Sequence, residues 1–121
     1  MLRQMLRSKI QSATVTEADL EYEGSITLDP LVIDAAGLLP GEQVLVVNLN
    51  NGERLETYVI AGERGSGVVC LNGPAARRGM VGDRLHILAF GLVEDAEAAQ
   101  VVPFFVALGP GNEIVEKRPW A

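Results

Sequence analysis

The most constraining stretch is Asn50-Asn51-Gly52 together with the two runs it separates, "QVLVVNL" (43–49) and "RLETYVIA" (54–61). Asn-Gly between apolar runs is the strongest short-range signal for a β-hairpin, because Gly takes positive φ freely and Asn tolerates it. Within the second run, alternation places Arg54, Glu56 and Tyr58 on one face and Leu55, Thr57 and Val59 on the other. "GVVCL" (67–71), "RLHILAF" (84–90) and "VVPFFVAL" (101–108) are further apolar runs bounded by Gly or Pro. The opening stretch, with Leu2, Met5, Leu6, Ile10 and Val15, is less regular and reads largely as strand. Helical signals are short. In "DPLVIDAAG", Asp29 suits a cap, Pro30 the first helical position and Gly37 the stop. "NGPAARRG" predicts a turn of helix opened by Gly73-Pro74, and "EDAEAAQ" (94–100) another. Many short strands with few helices predict a mainly β chain closed into a barrel, with helical turns at its ends.

At 121 residues the chain is a single domain, residues 1–121, with room for one core. Its formal charge is −6, and no Lys/Arg run exceeds the pairs Arg77-Arg78 and Lys117-Arg118. That balance argues against nucleic acid or an anionic membrane as partner. No apolar stretch is long enough to span a bilayer, and "MLRQMLRSKI" lacks the continuous apolar core of a signal peptide. Cys70 is the only cysteine, so no intrachain disulfide forms, and its neighbours "VVCL" make it a buried structural thiol. A soluble, acidic, cytoplasmic protein is expected.

Few chemistries fit the inventory. His86, the only histidine, cannot build a multi-His metal site, and neither HExxH nor CxxC occurs, so no metal is expected. Inside "RLHILAF" it reads as an ordinary strand residue. "GERGSG" (62–67) fits neither phosphate-loop pattern and reads as a loop. Lys9 and Lys117 are the only lysines, and Tyr22 and Tyr58 the only tyrosines. Lys117 lies in a polar tail, whereas Lys9 lies in an apolar strand where its charge needs a partner or a bound anion. "EYEGSITLDP" (21–30) contains Gly24-Ser25, for which a turn is the ordinary reading. The alternative is a bond the protein breaks itself, since Gly24 leaves its carbonyl approachable and Ser25 carries a hydroxyl that can attack it.

Taken together, "MLRSKI" (5–10), "VTEADLEYEGS" (15–25), "NGERLETY" (51–58), "AGERGSG" (61–67), "LNGPAA" (71–76) and "VGDRLHILAF" (81–90) resemble the aspartate 1-decarboxylase family, small pyruvoyl-dependent enzymes that make β-alanine for pantothenate. The resemblance spans nearly the whole chain in family order; only the last dozen or so residues look unconstrained. It implies a double-psi β-barrel with short helices, assembled as a homotetramer with each site between subunits. It also implies self-cleavage at Gly24-Ser25 into a β chain, 1–24, and an α chain, 25–121. The prosthetic group would be a pyruvoyl made from Ser25, with no PLP and no metal. Gln11 stands where many members carry His, Arg77 replaces another common His, and Pro74 stands where Ala is frequent.

The resemblance implies a role for each matched residue. Ser25 attacks Gly24 and becomes the pyruvoyl group that forms a Schiff base with L-aspartate. Thr57 assists maturation and contacts substrate, and Tyr58 is the proton donor, with Tyr22 as runner-up or pocket wall. Arg54 and Lys9 take the substrate carboxylates. Backbone N–H groups around Gly73, Ala75 and Ala76, at a helix start where Pro74 has no N–H to satisfy, form an anion seat with Pro74 beside it, and Asn72 orients the bound intermediate. Some relatives need a maturation helper. The competing reading is a non-enzymatic β-barrel that binds another protein or an acidic ligand. One conflict stands: alternation sends Thr57 and Tyr58 to opposite faces, so a site using both requires a bent strand or a subunit junction.

Overall fold

The computed structural model describes residues 1–120. The chain is mainly β, and its long first strand organises the rest. β1 (Leu2–Thr14) is followed after two residues by β2 (Glu17–Asp19), then β3 (Ser25–Leu28), α1 (Pro30–Ala35), β4 (Gln43–Asn48), β5 (Arg54–Ala61) and β6 (Val69–Asn72). A 3₁₀ turn (Gly73–Arg77), β7 (Arg84–Glu94), α2 (Asp95–Ala98), β8 (Phe104–Leu108) and β9 (Ile114–Pro119) complete it.

The hydrogen-bonded order is β2-β6-β3-β5-β4-β7-β1-β8-β9. Because β2 continues β1, the first seven places close into a ring. Thr16 secures the junction: its N–H donates to the Val69 carbonyl at 2.8 Å, and its Oγ1 accepts from the Val69 N–H at 3.0 Å. A closed ring leaves a strand edge only where two neighbours pair over part of their length. β8 and β9 form a ribbon on its outside, β8 parallel to β1 and β9 antiparallel to β8.

Alternation fills the ring. Val44 and Val46 of β4, Leu85, Ile87 and Ala89 of β7, and Ile26, Leu28, Leu71 and Val59 all point into one buried cluster with Ile10 and Val106. The hairpin predicted around Asn50-Asn51-Gly52 forms, with Val47 opposite Arg54, and Gly52 takes φ +74°. The helix of 30–35 is capped as its sequence indicates: Asp29 Oδ1 accepts from the Leu31 N–H at 2.9 Å and Gly37 stops it at φ +69°.

Several bounds differ from the sequence reading. β7 runs four residues past Phe90, and β8 starts only after Pro103, which has no N–H to donate. The tail, which looked unconstrained, contains β9, whose six residues are all exposed. Lys117 on it lies over the Phe104 ring, 4.8 Å from the centroid, rather than simply in solvent. Among the described residues no helix is long and apolar enough to cross a membrane.

Candidate active site

β3 begins at Ser25 and lies antiparallel to β6, with Ser25 opposite Asn72 and Thr27 opposite Cys70. Ile26, Leu28, Val69 and Leu71 face the core; the alternate face therefore carries the polar quartet Ser25, Thr27, Cys70 and Asn72. Asn72 ties it together. Its Nδ2 donates to Ser25 Oγ at 2.9 Å and to Thr27 Oγ1 at 2.8 Å, while its Oδ1 accepts from the Cys70 thiol at 3.1 Å. Ser25 is fully buried, and its hydroxyl donates to the Glu23 carbonyl at 3.3 Å.

The 22–24 segment is held from the other side by Gly73, which takes φ +59°. A Cβ there would lie 2.5 Å from the Tyr22 carbonyl oxygen and 2.8 Å from the Gly24 nitrogen, so only glycine lets the two backbones approach this closely. Asn72 occupies the cap position of the 3₁₀ turn without capping it, its amide being committed to Ser25 and Thr27. The first N–H groups of that turn thus have no side-chain cap.

β3 also runs parallel to β5, and that pairing starts with Ile26 opposite Val59, one residue beyond Ser25. Short of this point the edge of β5 is uncovered. Val59 bonds to the β4 side, its N–H donating to the Glu42 carbonyl at 3.0 Å, so the backbone groups of Glu56, three residues before it, turn the opposite way, into the gap. The gap is a cleft of about 350 Å³, bounded by Gly24, Pro74 and Ala75 on one side, by Leu55, Glu56, Thr57 and Tyr58 on the other, and by Arg78. Here the conflict over Thr57 and Tyr58 disappears. The β4–β5 ladder has no register shift, and both residues border the cleft because it lies at the strand's edge rather than on one face.

Other predicted residues stand at varying distances from this cleft. Arg54 opens β5 with an exposed side chain, and its carbonyl accepts from Arg78 Nη1 at 3.0 Å. Tyr22 is half-exposed beside Gly73. Ala76 follows Ala75 in the 3₁₀ turn. Lys9 does not border the cleft: it is half-buried on β1, its ammonium 5.9 Å from the Phe105 ring centre. Gln11 is on the same strand, and Arg77 is exposed at the end of the turn. His86 accepts from the Ser12 N–H through Nδ1 at 3.3 Å; burial, then the charges of Lys9 and Arg84, hold its pKa below 6.5. Burial pushes the Cys70 thiol up, helped by the carboxylates of Glu17 and Asp19, so it stays protonated. Among the described residues no group of three His, Cys, Asp or Glu side chains is placed to hold a metal ion.

Sequence reasoning missed Thr27 and Cys70 as partners of Asn72, and Leu55, Glu56 and Arg78 as cleft residues. The i, i+2 spacing of Ser25 with Thr27 and of Cys70 with Asn72 was the available signal, but it becomes a quartet only once β3 and β6 are known to pair.

A family model for aspartate decarboxylase matches residues 1–115. The chain belongs to the aspartate decarboxylase family. It is 53% identical over 116 residues to the aspartate 1-decarboxylase of Bacillus cytotoxicus, covering 96% of this chain and 91% of that protein. The protein of the same name from Caldicellulosiruptor saccharolyticus is 54% identical with the same coverage, and that of Bacillus subtilis 53% identical over 114 residues. The closed ring is the double-psi β-barrel of aspartate decarboxylases. Membership makes the chain an enzyme of the decarboxylase class rather than a non-enzymatic barrel.

Proposed function

We propose that this protein cuts its own chain after Gly24, converts Ser25 into a pyruvoyl group, and then decarboxylates L-aspartate to β-alanine for pantothenate synthesis. The observation that carries this reading is the placement of Gly24-Ser25. Its hydroxyl is buried and hydrogen-bonded to Asn72, and its glycine borders the cleft that Thr57 and Tyr58 also border.

The bonds made and broken in maturation are those of Gly24 and Ser25. Ser25 Oγ attacks the Gly24 carbonyl carbon, the C–N bond breaks, and an ester replaces the amide. Removal of the Ser25 α-proton expels the Gly24 carboxylate and leaves dehydroalanine. Addition of water with release of ammonia then gives the ketone. Thr57 donates a hydrogen bond to the oxyanion that develops at Gly24. The cleft beside Gly24 has room for a small acid.

The pyruvoyl ketone, once made, supplies the electrophile for the substrate amine and the electron sink for loss of carbon dioxide. Tyr58, whose phenol carries an O–H beside the cleft, donates the proton that the resulting carbon requires. Arg54 grips one carboxylate in a bidentate manner, and the uncapped N–H groups at Gly73, Ala75 and Ala76 seat the anion; Lys9, which does not border the cleft of its own subunit, supplies a point charge for the other carboxylate only across a subunit junction. Asn72 orients the bound molecule and Tyr22 walls the pocket. In a single subunit the cleft is open, with Tyr58 38% and Tyr22 53% exposed. Carbanion chemistry needs water excluded, so we read the site as completed by a neighbouring subunit of a homotetramer. We place the enzyme in the cytoplasm.

Intact mass of the purified protein tests the reading. Two pieces, 1–24 and 25–121, with the larger resistant to Edman sequencing, are expected; Ser25→Ala should stay whole. A wild type that remains at full mass after prolonged warm incubation, with or without cell extract to supply a maturation helper, refutes self-processing.

A further inference from the structure

We propose that Cys70 is a positioning residue for self-cleavage: its thiol fixes the Asn72 amide so that both Nδ2 hydrogens point at hydroxyl oxygens, one of them the attacking Ser25 Oγ. The inference rests on the proposed cleavage at Gly24-Ser25.

An amide can sit in two orientations half a turn apart, and here the choice changes the nucleophile. With Nδ2 toward β3, Ser25 Oγ receives a hydrogen and its own proton goes to the Glu23 carbonyl. With the amide turned over, Oδ1 would face both hydroxyls. Ser25 would then donate its hydrogen to Asn72, and its orientation toward Gly24 would change. Ser25 and Thr27 can each donate or accept, so neither selects an orientation. Cys70 can, because a protonated thiol is the one group in the quartet with a hydrogen to give and only weak capacity to accept.

The geometry agrees. Cys70 Sγ lies 3.1 Å from Asn72 Oδ1, and the thiol's other acceptor, the Leu71 carbonyl, is 3.9 Å away. Register puts Cys70 directly opposite Thr27 and two residues before Asn72, on the same face of the paired strands. Cys70, Asn72 and Ser25 are all more than nine-tenths buried, so water does not offer the amide a substitute donor. Burial and the carboxylates of Glu17 and Asp19 keep the thiol protonated, which preserves the donor.

The test compares wild type, Cys70→Ala and Cys70→Ser, each followed by intact mass as full-length chain converts to its pieces, with thermal denaturation on the same samples. Cys70→Ala should keep its fold yet cleave about tenfold more slowly, the worth of one buried hydrogen bond. Cys70→Ser can accept as well as donate, so it selects no amide orientation and should also cleave more slowly than wild type. Equal rates for wild type and Cys70→Ala overturn the proposal, as does a Cys70→Ser that cleaves as fast as wild type. A second arm does not depend on cleavage. The chain has one thiol, so its infrared S–H stretch reports Cys70 alone. That band should lie below the position of a thiol dissolved in hydrocarbon and move up toward it in Asn72→Ala; a wild-type band at the hydrocarbon position overturns the contact. A wild type that never cuts instead refutes the cleavage reading, and the infrared arm still decides the thiol's role.

Discussion

Replacing Gly73 with alanine should damage stability and self-cleavage by separate amounts, both of which follow from the geometry around Tyr22 and Gly24. Gly73 takes φ +59°, where an L-residue costs about 1–2 kcal/mol relative to glycine. The new Cβ would also lie 2.5 Å from the Tyr22 oxygen, 2.8 Å from the Gly24 nitrogen and 3.0 Å from the Gly24 Cα. These are backbone atoms, so no side-chain rotation relieves them, and clearing them adds overpacking of about 1–3 kcal/mol. The expected loss is therefore about 2–5 kcal/mol, read as a lowered urea midpoint with an unchanged slope. Both proteins should carry Ser25→Ala, so that the uncut chains are compared. In the cleavable background, restoring ordinary contact pushes the 22–24 segment away by roughly 0.5–1 Å, a displacement that can cost about 100-fold in a positioned reaction. Intact mass against time measures it. A Gly73→Ala protein with the wild-type midpoint and cleavage half-time would refute the claim that this close approach holds the scissile bond in place.

The remaining expectations concern neighbouring groups. Tyr58→Phe should cleave normally but lose about 10²–10⁴-fold in aspartate turnover, the usual worth of a positioned proton donor. Thr57→Val should fail earlier and accumulate full-length chain; intact mass and β-alanine formation on the same samples distinguish them, and a fully cleaved Tyr58→Phe with wild-type turnover would move the proton to Tyr22 or water. Burial alone would raise the pKa of Asp29, but N–H bonds from Gly67, Leu31 and Gly65, aided by Arg64, prevail and hold it below 3.8. A depressed carboxyl stabilises the fold fully above its unfolded value and loses that contribution as pH falls below 3.8 through the folded value. Asp29→Asn, which cannot accept at both oxygens with full charge, should cost about 1–3 kcal/mol near neutrality and flatten the acid limb of the denaturation midpoint plotted against pH.

The parts of the fold that were legible before any coordinates are those whose signals are local. The hairpin around Gly52, the helix capped by Asp29 and stopped by Gly37, and the alternating run of β5 each depend on residues a few places apart. What escaped depends on partners distant in the chain. β2 is three exposed residues, and only its pairing with β6 makes it a strand. β9 is likewise exposed throughout and exists because β8 offers it an edge. Barrel closure was inferred from element counts, yet its physical cause is specific: β1 continues into β2, so one chain segment touches both ends of the same circuit.

The site was legible by family pattern more than by physics, and Thr57 and Tyr58 show why. Strand alternation is a rule about faces, and it correctly separates these neighbours, with Tyr58 among the exposed residues of β5 and Thr57 among the half-buried ones. It carries no information about edges. β3 joins β5 only from Ile26 onward, so the chain segment that reaches the proposed cleavage point leaves five residues of β5, Arg54–Tyr58, with no β3 residue opposite them, and four of these line the cleft. An uncovered edge presents side chains from both faces and backbone groups from between them. It can therefore give one neighbour to an oxyanion at Gly24 and the next to a carbon beyond Ser25. The start of β3 at Ser25 thus does two jobs. It buries Ser25, the proposed nucleophile, against Asn72, and by starting there, not earlier, it leaves open the gap proposed for both reactions.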